Sequence, residues 1–97
     1  MTCLWRVPDD HPAFAGHFPG RPIVPGVVIL DQAILFAARQ LSAPRGWRVD
    51  NAKFLSPVGP GEVLSFDFSP RARGGLQFAV RAGERKVASG VLTPSLP

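Results

Sequence analysis

Apolar and polar residues alternate along several short stretches of this chain, and one longer stretch breaks the rhythm. Leu64, Phe66 and Phe68 alternate with Ser65 and Asp67, and Leu76, Phe78 and Val80 with Gln77, Ala79 and Arg81. A period of two marks strands that bury one face. Strands are therefore expected over Glu62 to Ser69 and from Leu76 to Arg81. Trp47 to Leu55 and Lys86 to Thr93 read as two more extended runs, and Cys3 to Val7 as a short first strand closed by Pro8-Asp9-Asp10. Gly74-Gly75 and Gly83-Glu84 fall where hairpin turns belong.

Val27 to Leu41 follows a different pattern. Val27, Val28, Ile29, Leu30, Ala33, Ile34, Leu35, Phe36, Ala37, Ala38 and Leu41 cover more than one face of a helix. Pro25-Gly26 punctuate its start and Ser42-Ala43-Pro44 stop it. A helix apolar around most of its circumference is a buried one, so something must wrap it. The predicted order is strand, long loop, buried helix, then four antiparallel strands. One long buried helix wrapped by a curved antiparallel sheet is an α+β hot-dog fold. No repeat or linker is visible, and residues 1–97 read as a single domain.

Composition narrows the picture. A chain of 97 residues with 45% hydrophobic positions is globular rather than disordered. A domain of this size buries only about 60% of the surface its unfolded chain exposes, so a partner subunit would help it. Cys3 is the only cysteine, which excludes an internal disulfide framework and a cysteine metal site. The first residues lack the charged-then-apolar order of a signal peptide. The run from Val27 to Leu41 is interrupted by Asp31, Gln32, Arg39 and Gln40, too short and polar for a membrane span. The expected location is cytoplasmic. The net charge of +4 favours encounter with an acidic partner. The basic residues are scattered and carry no nucleic-acid motif, and Phe54, Phe66, Phe68 and Phe78 read as core.

Between Pro8 and Gly26 the chain is dense in Pro and Gly, the composition of a long ordered loop of the kind that carries function. Its segment from Gly16 to Asp31 sets His17 in a stiff loop ahead of the helix and Asp31 in the helix's second turn. A carboxylate in an otherwise apolar helix needs an explanation, because burying it without a partner is costly. On the residues alone, Asp31 with Gln32 forms either a wet strip or part of a site. His17 is either a backbone-bonded loop histidine or a functional one, and Phe14 and Phe18 are loop or core anchors. His11, beside Asp9 and Asp10, reads as a surface turn residue.

The string HFPGRPIVPGV, residues 17–27, closely resembles the active-site segment of the 3-hydroxyacyl-ACP dehydratases of fatty-acid synthesis. The resemblance continues through Ala52-Lys53-Phe54, Pro57-Val58-Gly59-Pro60-Gly61-Glu62, Arg73-Gly74-Gly75-Leu76 and Glu84-Arg85-Lys86-Val87-Ala88, and so runs across nearly the whole chain. It implies that His17 and Asp31, fourteen residues apart, form the catalytic pair. The family's pair is assembled across a homodimer, each member from a different subunit. Asp rather than Glu at position 31 resembles the dehydratase/isomerase branch, while the HFPG string resembles the longer-chain branch.

The implied reaction removes water from a 3-hydroxyacyl thioester and leaves a trans-2-enoyl thioester. Neutral His17 takes the α-proton, since histidine titrates near neutrality. A carboxyl in an apolar tunnel favours its protonated form, which suits Asp31 to protonating the departing hydroxyl. The resemblance assigns the thioester oxygen to the backbone N–H of Gly26, at a helix N-terminus where free N–H groups and the dipole favour negative charge. It implies a substrate tunnel lined by Phe18, Pro25, Val27 and Leu35, and no metal or organic cofactor. The implied substrate carrier is an acidic acyl carrier protein. On charge alone, Arg45, Arg48, Lys53, Arg71 and Arg73 are candidates for its docking surface.

Two departures open other readings. The family has Gln four residues after the catalytic carboxylate, where this chain has Leu35, and it carries a further helix and strand ahead of the HFPG segment. A weakly catalytic subunit paired with a related hot-dog protein is one alternative. A hot-dog thioesterase, whose carboxylate activates water, is the other.

Overall fold

The computed structural model describes residues 1–11, 23–43 and 45–95. The elements are β1 (Thr2–Arg6), α1 (Gly26–Ala37), β2 (Trp47–Phe54), β3 (Val63–Pro70), β4 (Leu76–Ala82) and β5 (Arg85–Pro94). The strands form one antiparallel sheet in the order β1-β3-β4-β5-β2, with α1 packed on one face. The strands match the alternating pattern to within a residue or two at each end.

That pattern chooses the buried face. Cross-strand partners Phe66 and Val80, and Phe68 and Phe78, point into the core. Their neighbours Asp67, Ala79 and Ser89 share a row on the outer face. Ile29, Ala33, Phe36 and Ala37 of α1 complete the core, and the Phe36 and Phe66 rings meet edge to face with centroids 5.3 Å apart. On the outer face Asp67 accepts from the Thr2 hydroxyl and pairs with Arg81 at 3.2 Å, joining three strands. Its carboxyl lies below the usual carboxylate range, chiefly through the Thr2 hydroxyl and further through Arg81.

Two irregularities break the period of two. In β2, Trp47 and Val49 pack against the core, but the register shifts between Asp50 and Lys53, and Asn51 takes a φ of 54°. Asn tolerates this left-handed conformation better than most residues do. The shift carries Phe54 onto the helix side of the sheet. A second shift, between Val80 and Arg81, lets both Val87 and Ala88 turn inward from β5.

Three expectations need correction. The helix ends at Ala37 rather than Leu41: Arg39 and Gln40 donate to carbonyls only three residues back, and Ala38 and Arg39 are exposed. Neither Ala38 nor Leu41 enters the core, so nothing rewards another turn. Phe54 is 50% exposed and is not core. The sheet wraps α1 as expected, but the helix is not buried all round. Val27 and Leu35, 61% and 59% exposed, flank exposed Asp31 at four-residue intervals, so they form one open strip along the helix.

Candidate active site

The start of α1 is fastened from below. Val24 donates to the carbonyl of Val58 at 2.7 Å, and Val28 donates to the carbonyl of Pro25 at 3.0 Å. Pro25 occupies the N-cap with φ −60°, and neither a capping side chain nor an acidic residue sits in the first turn. A helix start of this kind leaves backbone N–H groups without intrahelical acceptors. Gly26 lies directly against Phe54: a Cβ there would stand 2.8 Å from the ring's Cε1 and Cζ.

Glycine at this position lets helix and aromatic ring approach closely, and a cavity of about 570 Å³ opens beside them. Ile23, Val24, Gly26, Val27 and Ile29 line it from the helix side, and Phe54, Leu55, Ser56 and Pro57 from β2 and the following turn. Volume and lining suit an apolar chain with a polar head held at the helix N-terminus.

The turn that bears Pro57 is held by a charged clamp. Arg85 donates to the Pro57 carbonyl at 3.2 Å and to Glu62 Oε1 at 2.7 Å, while the Gly59 N–H donates to Glu62 Oε2 at 2.7 Å. Partial burial alone would raise the Glu62 pKa, but the Gly59 N–H and then Arg85 outweigh it and hold it below 4.5. The Val24–Val58 bond connects this clamp to the start of the helix.

The sequence-predicted residues divide into three groups. Gly26 and Val27 line the cavity, with Pro25 adjacent as the helix cap. Asp31 and Leu35 lie further along α1 on the open strip, outside the cavity wall. His17 and Phe18 fall outside the described residues. His11, the expected surface turn residue, is half-buried, its ring edge-on to Trp5 at 6.4 Å. Sequence reasoning missed Phe54, Leu55 and the Glu62–Arg85 clamp as parts of the site. The available signal was parity: Trp47 and Val49 are odd-numbered and Phe54 even, so a bulge must lie between them for all three to face the helix.

A single helix on a curved antiparallel sheet, with an apolar cavity at the helix N-terminus, defines a hot-dog domain. The profile of the ApeI-like family, described as ApeI dehydratase, matches residues 1–91, and the chain belongs to that family. It is 42% identical to a 3-hydroxyacyl-[acyl-carrier-protein] dehydratase FabZ of Chlamydia trachomatis, covering 91% of this chain and 67% of that protein. Identity to the FabZ of Thermus thermophilus is 41%, over 96% of this chain and 75% of the relative. In fold it resembles the dehydratase heterocomplex ApeI:P from Xenorhabdus doucetiae, with a TM-score of 0.75 and 24% identity, over 95% of this chain and 83% of that one.

Proposed function

We propose that this protein dehydrates a 3-hydroxyacyl group held as a thioester on an acyl carrier protein. His17 removes the α-proton, and the electron pair moves to form the α,β double bond. The bond between the β-carbon and its hydroxyl breaks, and Asp31 gives the departing hydroxyl the proton that makes it water. The thioester oxygen, more negative as the α-proton leaves, accepts from the Gly26 N–H. The observation that carries this reading is the apolar cavity opening at an uncapped helix N-terminus through Gly26 and Val27. Dehydration is the activity of the curated relatives that this chain matches over most of its length.

The working unit in this reading is a pair of hot-dog subunits, either two copies of this chain or this chain with a related one. Asp31 stands between exposed Val27 and Leu35, a strip that the chain's own elements do not cover. A fold neighbour assembles as a heterocomplex, which supports a second subunit here.

The deciding test is a mass-spectrometric assay of 3-hydroxyacyl carrier proteins of graded chain length. Loss of one water, reversible and dependent on His17, is expected. Release of free acid would indicate a thioesterase, and no change by a folded, self-associated protein would leave it a subunit that needs a related partner.

A further inference from the structure

The opposite side of β2 carries a second concavity, and its chemistry differs from the first. A hollow of about 380 Å³ is formed by Lys53 and Leu55, by Ala79, Val80 and Arg81 of β4, and by Lys86, Ala88 and Ser89 of β5. Small residues make its floor: Ser89 and Ala79 lie side by side on the outer face, with Lys53 at the end of the same cross-strand row. The irregularity after Val80 opens the sheet there, because Val87 and Ala88 turn inward and leave their outer positions empty. Lys53, Arg81 and Lys86 stand around the rim. Arg81 is paired with Asp67 at 3.2 Å, whereas Lys53 and Lys86 have no ion pair among the described residues.

Leu55, 57% exposed, lines both this hollow and the cavity at the helix N-terminus. A partner seated on the outer hollow would therefore stand one side chain away from the candidate active site. The other basic candidates do not have this placement. Arg48 is the second residue of β2, next to Trp47, which pairs with Pro94, and Arg71 and Arg73 occupy the turn before Leu76, which pairs with Leu92. Trp47 and Phe54, the ends of this eight-residue strand, are seven residues apart. That separates the arginine end of the sheet from the cavity by roughly 23 Å at about 3.3 Å per residue.

We infer that the Lys53–Arg81–Lys86 hollow is the docking surface for the acidic carrier protein that delivers the acyl thioester, which passes Leu55 to reach the cavity at Gly26. The inference rests on the dehydratase reading and specifies where its partner binds. Carboxylates of the carrier meet the three cations, and an apolar carrier side chain fills the hollow above Ala79 and Ser89. Encounter is steered by charge and weakens with salt.

The test titrates a holo acyl carrier protein into the wild-type protein and into the double variant Lys53→Glu/Lys86→Glu. Turnover is followed in parallel on a carrier-bound substrate and on the same acyl group as a small pantetheine thioester. The charge-reversed variant is expected to bind the carrier about tenfold more weakly and to lose turnover on the carrier-bound substrate by a similar factor. Its turnover of the pantetheine thioester should stay at the wild-type level. An Arg71→Glu/Arg73→Glu variant should behave as wild type throughout.

Unchanged carrier binding in the Lys53/Lys86 variant would overturn the inference, as would loss of binding in the Arg71/Arg73 variant. So would an equal fall on the pantetheine thioester, or binding of the wild type to anionic vesicles but not to the carrier. If the wild type turns over neither substrate yet carrier binding still depends on Lys53 and Lys86, the docking surface stands and the dehydratase reading fails.

Discussion

Gly90 and Gly26 each face an aromatic ring at the same distance, and the surroundings of the two rings make the consequences differ. A Cβ on Gly90 would lie 2.8 Å from Phe78 Cζ and 3.2 Å from the Ala52 Cα, and Phe78 is only 1% exposed. Neither neighbour can withdraw, so Gly90→Ala should cost about 1–3 kcal/mol of stability, read from denaturant unfolding. At Gly26 the opposing ring is Phe54, half exposed and able to swing outward. Gly26→Ala should leave stability within about 1 kcal/mol while narrowing the cavity and lowering turnover. A fold as unstable as that of Gly90→Ala would show Gly26 to be chiefly a packing residue.

The candidate catalytic pair separates in the same way. Asp31 is exposed and makes no hydrogen bond or ion pair among the described residues, so Asp31→Asn should change stability by no more than about 0.5 kcal/mol. Its dehydration rate should fall at least about tenfold, in the range expected for removing a general acid. His17→Ala should abolish turnover with an unchanged far-ultraviolet spectrum. Full activity in the histidine variant would end the assignment of this site.

Among the elements, the turn from Pro57 to Glu62 carries the clearest pH dependence. The folded state holds the Glu62 carboxyl below 4.5, so it binds a proton more weakly than the unfolded chain does. The stabilisation from the Glu62–Arg85–Gly59 contacts is therefore fully present above about pH 4.5 and is lost as the pH falls through the lowered folded value. Glu62→Gln should be less stable than wild type at neutral pH, and the gap should close on acidification. A gap independent of pH would mean that the carboxylate charge contributes nothing to the clamp. The Pro57 and Val58 contacts also brace the helix start, so the variant should show slower hydroxyacyl turnover.

Much of this level was legible beforehand. The alternation through β3 and β4 located both strands, and their inward residues Leu64, Phe66, Leu76, Phe78 and Val80 are all buried. Continuous apolarity located the helix but overstated its burial. It could not reveal that one sheet of five strands covers a single side. The expectation for Phe54 failed for a related reason: the bulge at Asn51 turns its ring to the helix side, but there it borders the open cavity beside Gly26 instead of closed core.

Taken as a whole, the molecule leaves apolar surface that a small domain alone does not cover. Leu35, Val27 and Phe54 are each half or more exposed around Asp31 and the cavity. If a second subunit covers this strip, Leu35→Glu should abolish association and turnover while barely changing the stability of the separated chain. Sedimentation of wild type and variant over a range of concentrations reads this directly. A wild type that stays monomeric and active at every concentration would remove the two-subunit reading. Among the described residues no helix is long and apolar enough to cross a membrane.

The order of elements, the face each inner strand buries and the family to which the chain belongs are all written in its residues. Those properties follow from local periodicity and from a short, specific string beginning at His17. Tertiary structure decided the rest, because each remaining feature depends on residues distant in the chain. Gly26 meets Phe54 only after β2 has shifted register, and Arg85 holds Pro57 and Glu62 together only once β5 has returned alongside. Lys53 and Lys86, thirty-three residues apart, become one basic rim because two bulged strands bring them to the same hollow.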